Sequence, residues 1–124
     1  MPFFAQAAFN AYIRARDDGL PCISCGSITA SRWDAGHFRS VGAAPHLRFN
    51  EDNVHRQCSR PCNKDKSGDQ LRYRAGLIAR IGRERVEALE NDNGIVRFTK
   101  EDAVAIRLKY QAMKKDIERG RQLQ

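Results

Sequence analysis

Four cysteines stand in two close pairs, Cys22-x2-Cys25 and Cys58-x3-Cys62. Two such knuckles at this separation can hold one tetrahedral zinc, because each tight turn presents two thiolates. A metal at that point ties together the ends of the segment between the pairs. That segment then becomes a braced loop or hairpin, fit to display a few polar side chains. The competing chemistry is two disulfides, which persist only in an oxidising compartment. The opening Met1-Pro2-Phe3-Phe4 carries no basic n-region and no long apolar run. Export is therefore not expected, and zinc is the favoured reading of the thiols.

With 124 residues there is room for one domain of modest core. Lys and Arg number 22 against 15 Asp and Glu, a formal net charge of +7, and the pI is about 9.6. A small basic domain is drawn to polyanions, chiefly nucleic acid. No run approaches the roughly 18 apolar residues that span a bilayer, so no membrane partner is expected. Neither a P-loop nor a Rossmann glycine pattern occurs, so nucleotide hydrolysis is not expected.

Three helical stretches flank an irregular centre. Ala5, Ala8, Phe9, Tyr12 and Ile13 fall on one helical face, and Asp17-Asp18-Gly19 with Pro21 ends that helix before the first knuckle. From Cys22 to Asn63 no helical period is sustained. Two extended segments fit near Ser31–Phe38 and Asn53–Gln57, joined through Gly42-Ala43-Ala44-Pro45. Ser67-Gly68-Asp69-Gln70 reads as a capping box opening a helix with Leu71, Leu77, Ile78 and Ile81 on its buried face and Gly82 at its stop. A shorter piece carries Val86 and Leu89 up to the turn Asn91-Asp92-Asn93-Gly94. Thr99-x-x-Asp102 caps the last helix, whose seam Ala103, Ile106, Tyr110, Met113 and Ile117 suits a helix of the same fold or of a second subunit. The expected organisation is one domain: an N-terminal helix over 1–21, a zinc-stapled core over 22–82 and a helical segment over 83–124.

Cutting a phosphodiester needs a base to activate water, a cation to neutralise phosphate charge, and stabilisation of the departing 3′ oxygen. One histidine and one hard divalent metal can supply all three. Such a metal prefers oxygen ligands from Asp or Asn. Asp34-Ala35-Gly36-His37 follows the first knuckle and Asn63 follows the second directly, so zinc closure would draw these stretches together. The implied unit is a ββα-metal site with zinc as its external staple.

Trp33-Asp34-Ala35-Gly36-His37-Phe38-Arg39, Leu47-Arg48-Phe49-Asn50 and Asn53-Val54-His55-Arg56-Gln57-Cys58 closely resemble the NinG/Rap family of lambdoid phages. The resemblance extends through Phe9–Arg14, Pro21–Gly26, Lys66–Gly68 and Leu77–Gly82, and so covers most of the chain. It implies a structure-specific endonuclease acting on branched recombination intermediates, Holliday junctions and D-loops among them. It also implies a phage- or prophage-encoded protein of the bacterial host cytoplasm, with other phage recombination proteins as possible partners. The site is similar to that of endonuclease VII, with its four-cysteine zinc and HNH-like (His-Me finger) centre. Carried across, His37 would be the general base and Asn63 a ligand of catalytic Mg²⁺ or Mn²⁺. Asn53 would be the HNH asparagine that holds the hairpin through backbone bonds. Gly36 departs from the pattern, since many HNH sites place a metal-binding Asp before the histidine. Asp34, two residues earlier on the same strand face, would reach the cation instead. Asp65 stands where relatives often carry His and would be an alternative oxygen ligand. The second knuckle is one residue longer than the family's usual spacing.

Each residue also has a plainer reading. Asp34 fits a turn cap, His46 a structural loop residue, and Trp33 a core plug beside the zinc. Arg39, Arg48, His55, Arg56, Arg60, Lys64 and Lys66 flank the proposed site and would bind DNA phosphates, positioning the protein without reading base sequence. Cutting a junction symmetrically takes two active sites, so a homodimer is expected, through the Ala103–Ile117 seam. The reading from another class is a non-catalytic zinc module that binds branched or single-stranded DNA.

Overall fold

In the computed structural model, which describes residues 3–122, the chain runs as follows: α1 (Phe3–Arg16), β1 (Trp33–His37), a 3-10 turn (Pro45–Leu47), β2 (Val54–Cys58), a wide turn (Ser59–Asn63), α2 (Gln70–Ile81), α3 (Arg83–Glu90) and α4 (Lys100–Gln122). This is the small α+β class expected, its sheet reduced to two antiparallel strands. A ββα-metal unit is narrower than this architecture establishes. β2 leads into the wide turn of the second knuckle, and the next helix begins only at Gln70.

α1 forms where its apolar spacing predicts, and Ala5, Phe9, Tyr12 and Ile13 are all buried. α4 opens with the predicted reciprocal cap: the Thr99 amide donates to Asp102 Oδ2 at 2.9 Å and the Asp102 amide to Thr99 Oγ1 at 3.0 Å. Its seam closes on α1. The Tyr110 ring meets Phe9 edge-on at 4.7 Å between centroids and Tyr12 at 5.1 Å, with Ile106, Met113 and Ile117 alongside. That corrects the placing of a dimer contact on this seam, because α1 of the same chain already fills it.

The strands pair Asp34 with Gln57, Gly36 with His55 and His37 with Val54. Alternation puts Trp33, Ala35 and His37 on one face of β1 and Asp34 and Gly36 on the other. Ala35 and Val54 lie in the core built on Phe9 and Ile13. A second core gathers Ile23, Phe38, Ala44 and Leu47 with Tyr73 and Leu77 of α2 and Val86 and Leu89 of α3. The Tyr73 hydroxyl donates to the Gly36 carbonyl at 2.7 Å, tying α2 to β1. With packing on both sides, every residue of β2 is buried.

Two expectations about α2 are corrected. Leu71 is 88% exposed, and Tyr73, fully buried, takes its place in the core. The Ser67–Gln70 capping box does not form. Ser67 and Asp69 both have positive φ (50° and 49°), in the turn that leaves the second knuckle. That turn starts the helix at Gln70, too late for Ser67 to cap it. The stop at Gly82 and the burial of Val86 and Leu89 are as read from the sequence.

Candidate metal centre and adjoining polar site

The first knuckle is a tight turn in which the Gly26 amide bonds the Cys22 carbonyl at 2.9 Å. Cys58 ends β2, and Cys62 sits in the wide turn closed by the Lys64 amide on the Ser59 carbonyl at 2.9 Å. The four sulfurs lie within 4.8 Å of one another, and Cys25 Sγ is 3.9 Å from Cys58 Sγ. A tetrahedral zinc with Zn–S near 2.3 Å sets its sulfurs about 3.8 Å apart, so the donor set fits that ion. All four thiols are free of disulfide. Burial works against a thiolate at Cys22, but the amides of Cys25, Cys58 and Ser24 bring its pKa down to about 7. Burial pushes the Cys58 and Cys62 thiols up, and the neighbouring Cys22 charge adds to it. A divalent cation relieves that repulsion and makes all four thiolates compatible. Trp33 packs against this cluster, as its plainer reading has it.

Beside the knuckle the structure joins Asp34 and Asn63: Asn63 Nδ2 donates to Asp34 Oδ2 at 2.9 Å. Asp34 is further flanked by the largely exposed Arg32 at 3.6 Å. Asp65 does not share this arrangement; its half-exposed carboxylate pairs with Arg60 at 3.3 Å. Among the described residues, the four cysteines are the one group of three or more His, Cys, Asp or Glu side chains close enough to hold an ion.

His37 ends β1 on the other strand face, three residues or about 10 Å along the strand from Asp34. Its Nε2 lies 3.1 Å from the Arg48 carbonyl. A carbonyl only accepts, so Nε2 carries the proton and Nδ1 keeps its lone pair. Burial lowers the His37 pKa, against the Arg48 and Ala35 carbonyls, which favour the imidazolium. The ring is thus a neutral base at neutral pH. Gln6 of α1, which the sequence reading passed over, donates to the same Arg48 carbonyl at 3.2 Å and accepts from Arg48 Nε at 2.8 Å. α1 therefore helps fix the carbonyl that orients His37.

Asn53 is fully buried and clasps the long connection between the strands. Its Oδ1 accepts from the Arg39 amide at 2.9 Å, and its Nδ2 donates to the carbonyls of Arg39 (3.0 Å) and Leu47 (3.2 Å). Its partners are all backbone groups, so it positions the hairpin rather than touching a reacting atom.

The basic residues divide. His55 and Arg56, expected at DNA, are 4% and 7% exposed, because β2 is covered on both faces. This corrects their assignment. Arg56 stacks on the Trp33 ring at 3.6 Å and donates to the Leu20 carbonyl at 2.8 Å. His55 joins Arg16 and the buried Asp17. Arg39 is engaged by the carbonyls of Leu89 and Asp92, and Arg48 by Gln6. His46 bonds Asp92 and is structural. Arg60, Lys64 and Lys66 remain exposed around the second knuckle, next to Asn63.

The model of the bacteriophage lambda NinG protein family matches residues 4–120. The chain belongs to the NinG family. It is 51% identical over 117 residues to the protein ninG of Escherichia phage lambda, covering 94% of this chain and 57% of that one. The ninG proteins of Escherichia phage 933W (51% identity, 94% and 58% coverage) and Salmonella phage P22 (50%, 94% and 57%) are similar to it over the same length. The chain thus spans less than three fifths of these NinG relatives. No solved structure matches it. Among the described residues, no helix is long and apolar enough to cross a membrane.

Proposed function

We propose that this chain is a metal-dependent endonuclease of branched DNA, Holliday junctions and D-loops, built on a structural zinc. The observation that carries the reading is the Asp34–Asn63 contact, which the two knuckles make across the end of the sheet. Asp34 and Asn63 offer hard oxygens that would hold Mg²⁺ or Mn²⁺, and such an ion offsets phosphate and 3′-oxyanion charge when bound. Asp34 is preferred to Asp65, whose carboxylate is drawn to Arg60. His37 Nδ1 takes a proton from water; the hydroxide oxygen bonds to phosphorus as the bond to the 3′ oxygen breaks. Asp34 and His37 stand near opposite ends of the five-residue β1 and on opposite faces, so a DNA strand that meets both has to run along β1 and around its free edge. Exposed Arg60, Lys64 and Lys66 would grip its phosphates. The branched substrate, a host-cytoplasm setting and phage recombination partners rest on the motifs shared with the NinG family. A homodimer acting on both sides of a junction would have to use a face other than the α4 seam.

The placing of His37 on the face opposite Asp34 favours one second reading, a zinc module that binds branched or single-stranded DNA without cutting it. A labelled four-way junction and a matched duplex, incubated with wild type and His37→Ala in Mg²⁺ or Mn²⁺, separate the two. Cleavage confined to the junction and lost in a variant that still binds it supports the nuclease. Binding without cleavage in either metal supports the module.

A further inference from the structure

The Gln57 amide has no exposed surface, and its two ends are treated differently. Nε2 donates to Ser24 Oγ at 2.9 Å and to the Gly68 carbonyl at 2.6 Å. Oε1, equally buried, has no partner among the described residues. The amide cannot be turned round, because the Gly68 carbonyl accepts only and must face an N–H. A buried acceptor left without a donor has lost its water with nothing in return, so such atoms mark the place of something that completes them.

The oxygen is aimed over Gly36. A Cβ built on Gly36 would lie 2.1 Å from Gln57 Oε1, so any larger residue there would displace it. Gly36 lies two residues from Asp34 on the same strand face, and Gln57 stands opposite Asp34 in the ladder. One face of the sheet therefore gathers an amide oxygen without a donor, a carboxylate, and the asparagine bonded to that carboxylate.

We propose that Gln57 Oε1 is a third protein oxygen of a divalent-cation site shared with Asp34 and Asn63. The proposal rests on the reading of Asp34 and Asn63 as cation ligands and adds a ligand from the opposite strand. All three are hard donors of the kind Mg²⁺ and Mn²⁺ take. With a single carboxylate the site is weakly charged, and water or substrate phosphate would complete its shell. The bare Gly36 backbone leaves space for the amide oxygen.

The test is Mn²⁺ binding to the zinc-loaded chain without DNA, followed by electron paramagnetic resonance, with zinc content and thermal melting recorded for each variant. Gln57→Leu and Gln57→Met, which lack the amide oxygen, should each weaken Mn²⁺ binding about tenfold. Ser24→Ala removes one partner of Nε2, leaves Oε1, and should bind Mn²⁺ as wild type does. If the Gln57 variants lose zinc, Gly36→Ala decides, since its Cβ displaces Oε1 while keeping Gln57. Wild-type affinity in Gln57→Leu or in that variant overturns the proposal and leaves Oε1 to a buried water. If Asp34→Asn abolishes binding in the same series, the nuclease reading survives that failure. Wild-type affinity in Asp34→Asn as well would remove the cation site altogether.

Discussion

Asn63 and Asp34 are 29 residues apart and meet through a 2.9 Å hydrogen bond because β2 pairs back onto β1 and the second knuckle then carries Asn63 to the start of β1. The bond is charge-assisted, and the Asp34 side chain is 16% exposed, so water competes weakly for it. A double-mutant cycle with Asp34→Ala and Asn63→Ala should return a coupling of about 1–2 kcal/mol in thermal or denaturant unfolding. A coupling near zero would mean that the two side chains do not meet in solution, and the proposed cation site would lose its frame.

Chelation tests the staple. With four sulfurs within 4.8 Å, a bound metal would couple to the folding of the 22–62 region. Prolonged treatment with a strong chelator, or Cys58→Ser, should release one zinc per chain and lower stability on the order of several kcal/mol. Metal analysis beside a circular-dichroism melt checks this. A disulfide-bonded protein would respond the other way, yielding to reductant and ignoring the chelator.

How much of this was legible depends on the range of the signal. The knuckles, both strands, the Thr99–Asp102 cap and the Val86/Leu89 face are local patterns, and they form as read. Leu71 and Tyr73 lie two residues apart in one helix. Which of them is buried was set by the helix start, which the positive-φ turn through Ser67 and Asp69 shifts. His55 and Arg56 look like phosphate contacts in a basic sequence. Their burial follows from cores on both sides of β2, which no alternation of residue types announces. The surroundings of Gln57 are likewise non-local: they lie in Gly36, diagonal to it on β1, and in a carbonyl at Gly68. At the candidate site, the pairing of Asp34 with Asn63 follows from knuckle spacing, whereas the placing of His37 on the other face follows from counting along β1.

Asn53 should prove a structural rather than a chemical residue. Asn53→Ala strands the Arg39 amide and two carbonyls in a buried position and should cost about 3 kcal/mol. Asn53→Asp keeps the acceptor for the Arg39 amide but sets an oxygen against the carbonyls of Arg39 and Leu47, so it should rescue little. Denaturant unfolding of both variants checks this; an inactive variant of wild-type stability would show that Asn53 acts in the chemistry instead.

Acid should weaken the fold through His55 before it reaches Asp17. His55 Nε2 faces the Asp52 carbonyl at 3.0 Å and so carries the proton, while Nδ1 accepts from Arg16 Nη2 at 3.2 Å. Burial, then the charge of Arg16 with that of Arg80 behind it, pushes the His55 pKa down to about 4, against the pull of Asp17. An unfolded histidine titrates near 6.5. The folded value is the depressed one, so this contribution is fully present above about pH 6.5 and is lost as pH falls toward 4. Its full size is on the order of 1–3 kcal/mol. Asp17 works lower down: burial raises its pKa, but Arg16 and the Arg56 amide outweigh that and hold it below the ordinary carboxylate value. Its contribution is therefore present above about pH 4 and disappears only in stronger acid. Zinc thiolates also protonate in acid, so the decisive quantity is the difference between wild type and His55→Gln. Unfolding free energies at pH 7.5, 6.5, 5.5 and 4.5 (spanning the window above, about 6.5 to 4) should show the wild-type advantage shrinking as the pH drops. A difference constant across that range would mean that His55 is not held neutral by Arg16.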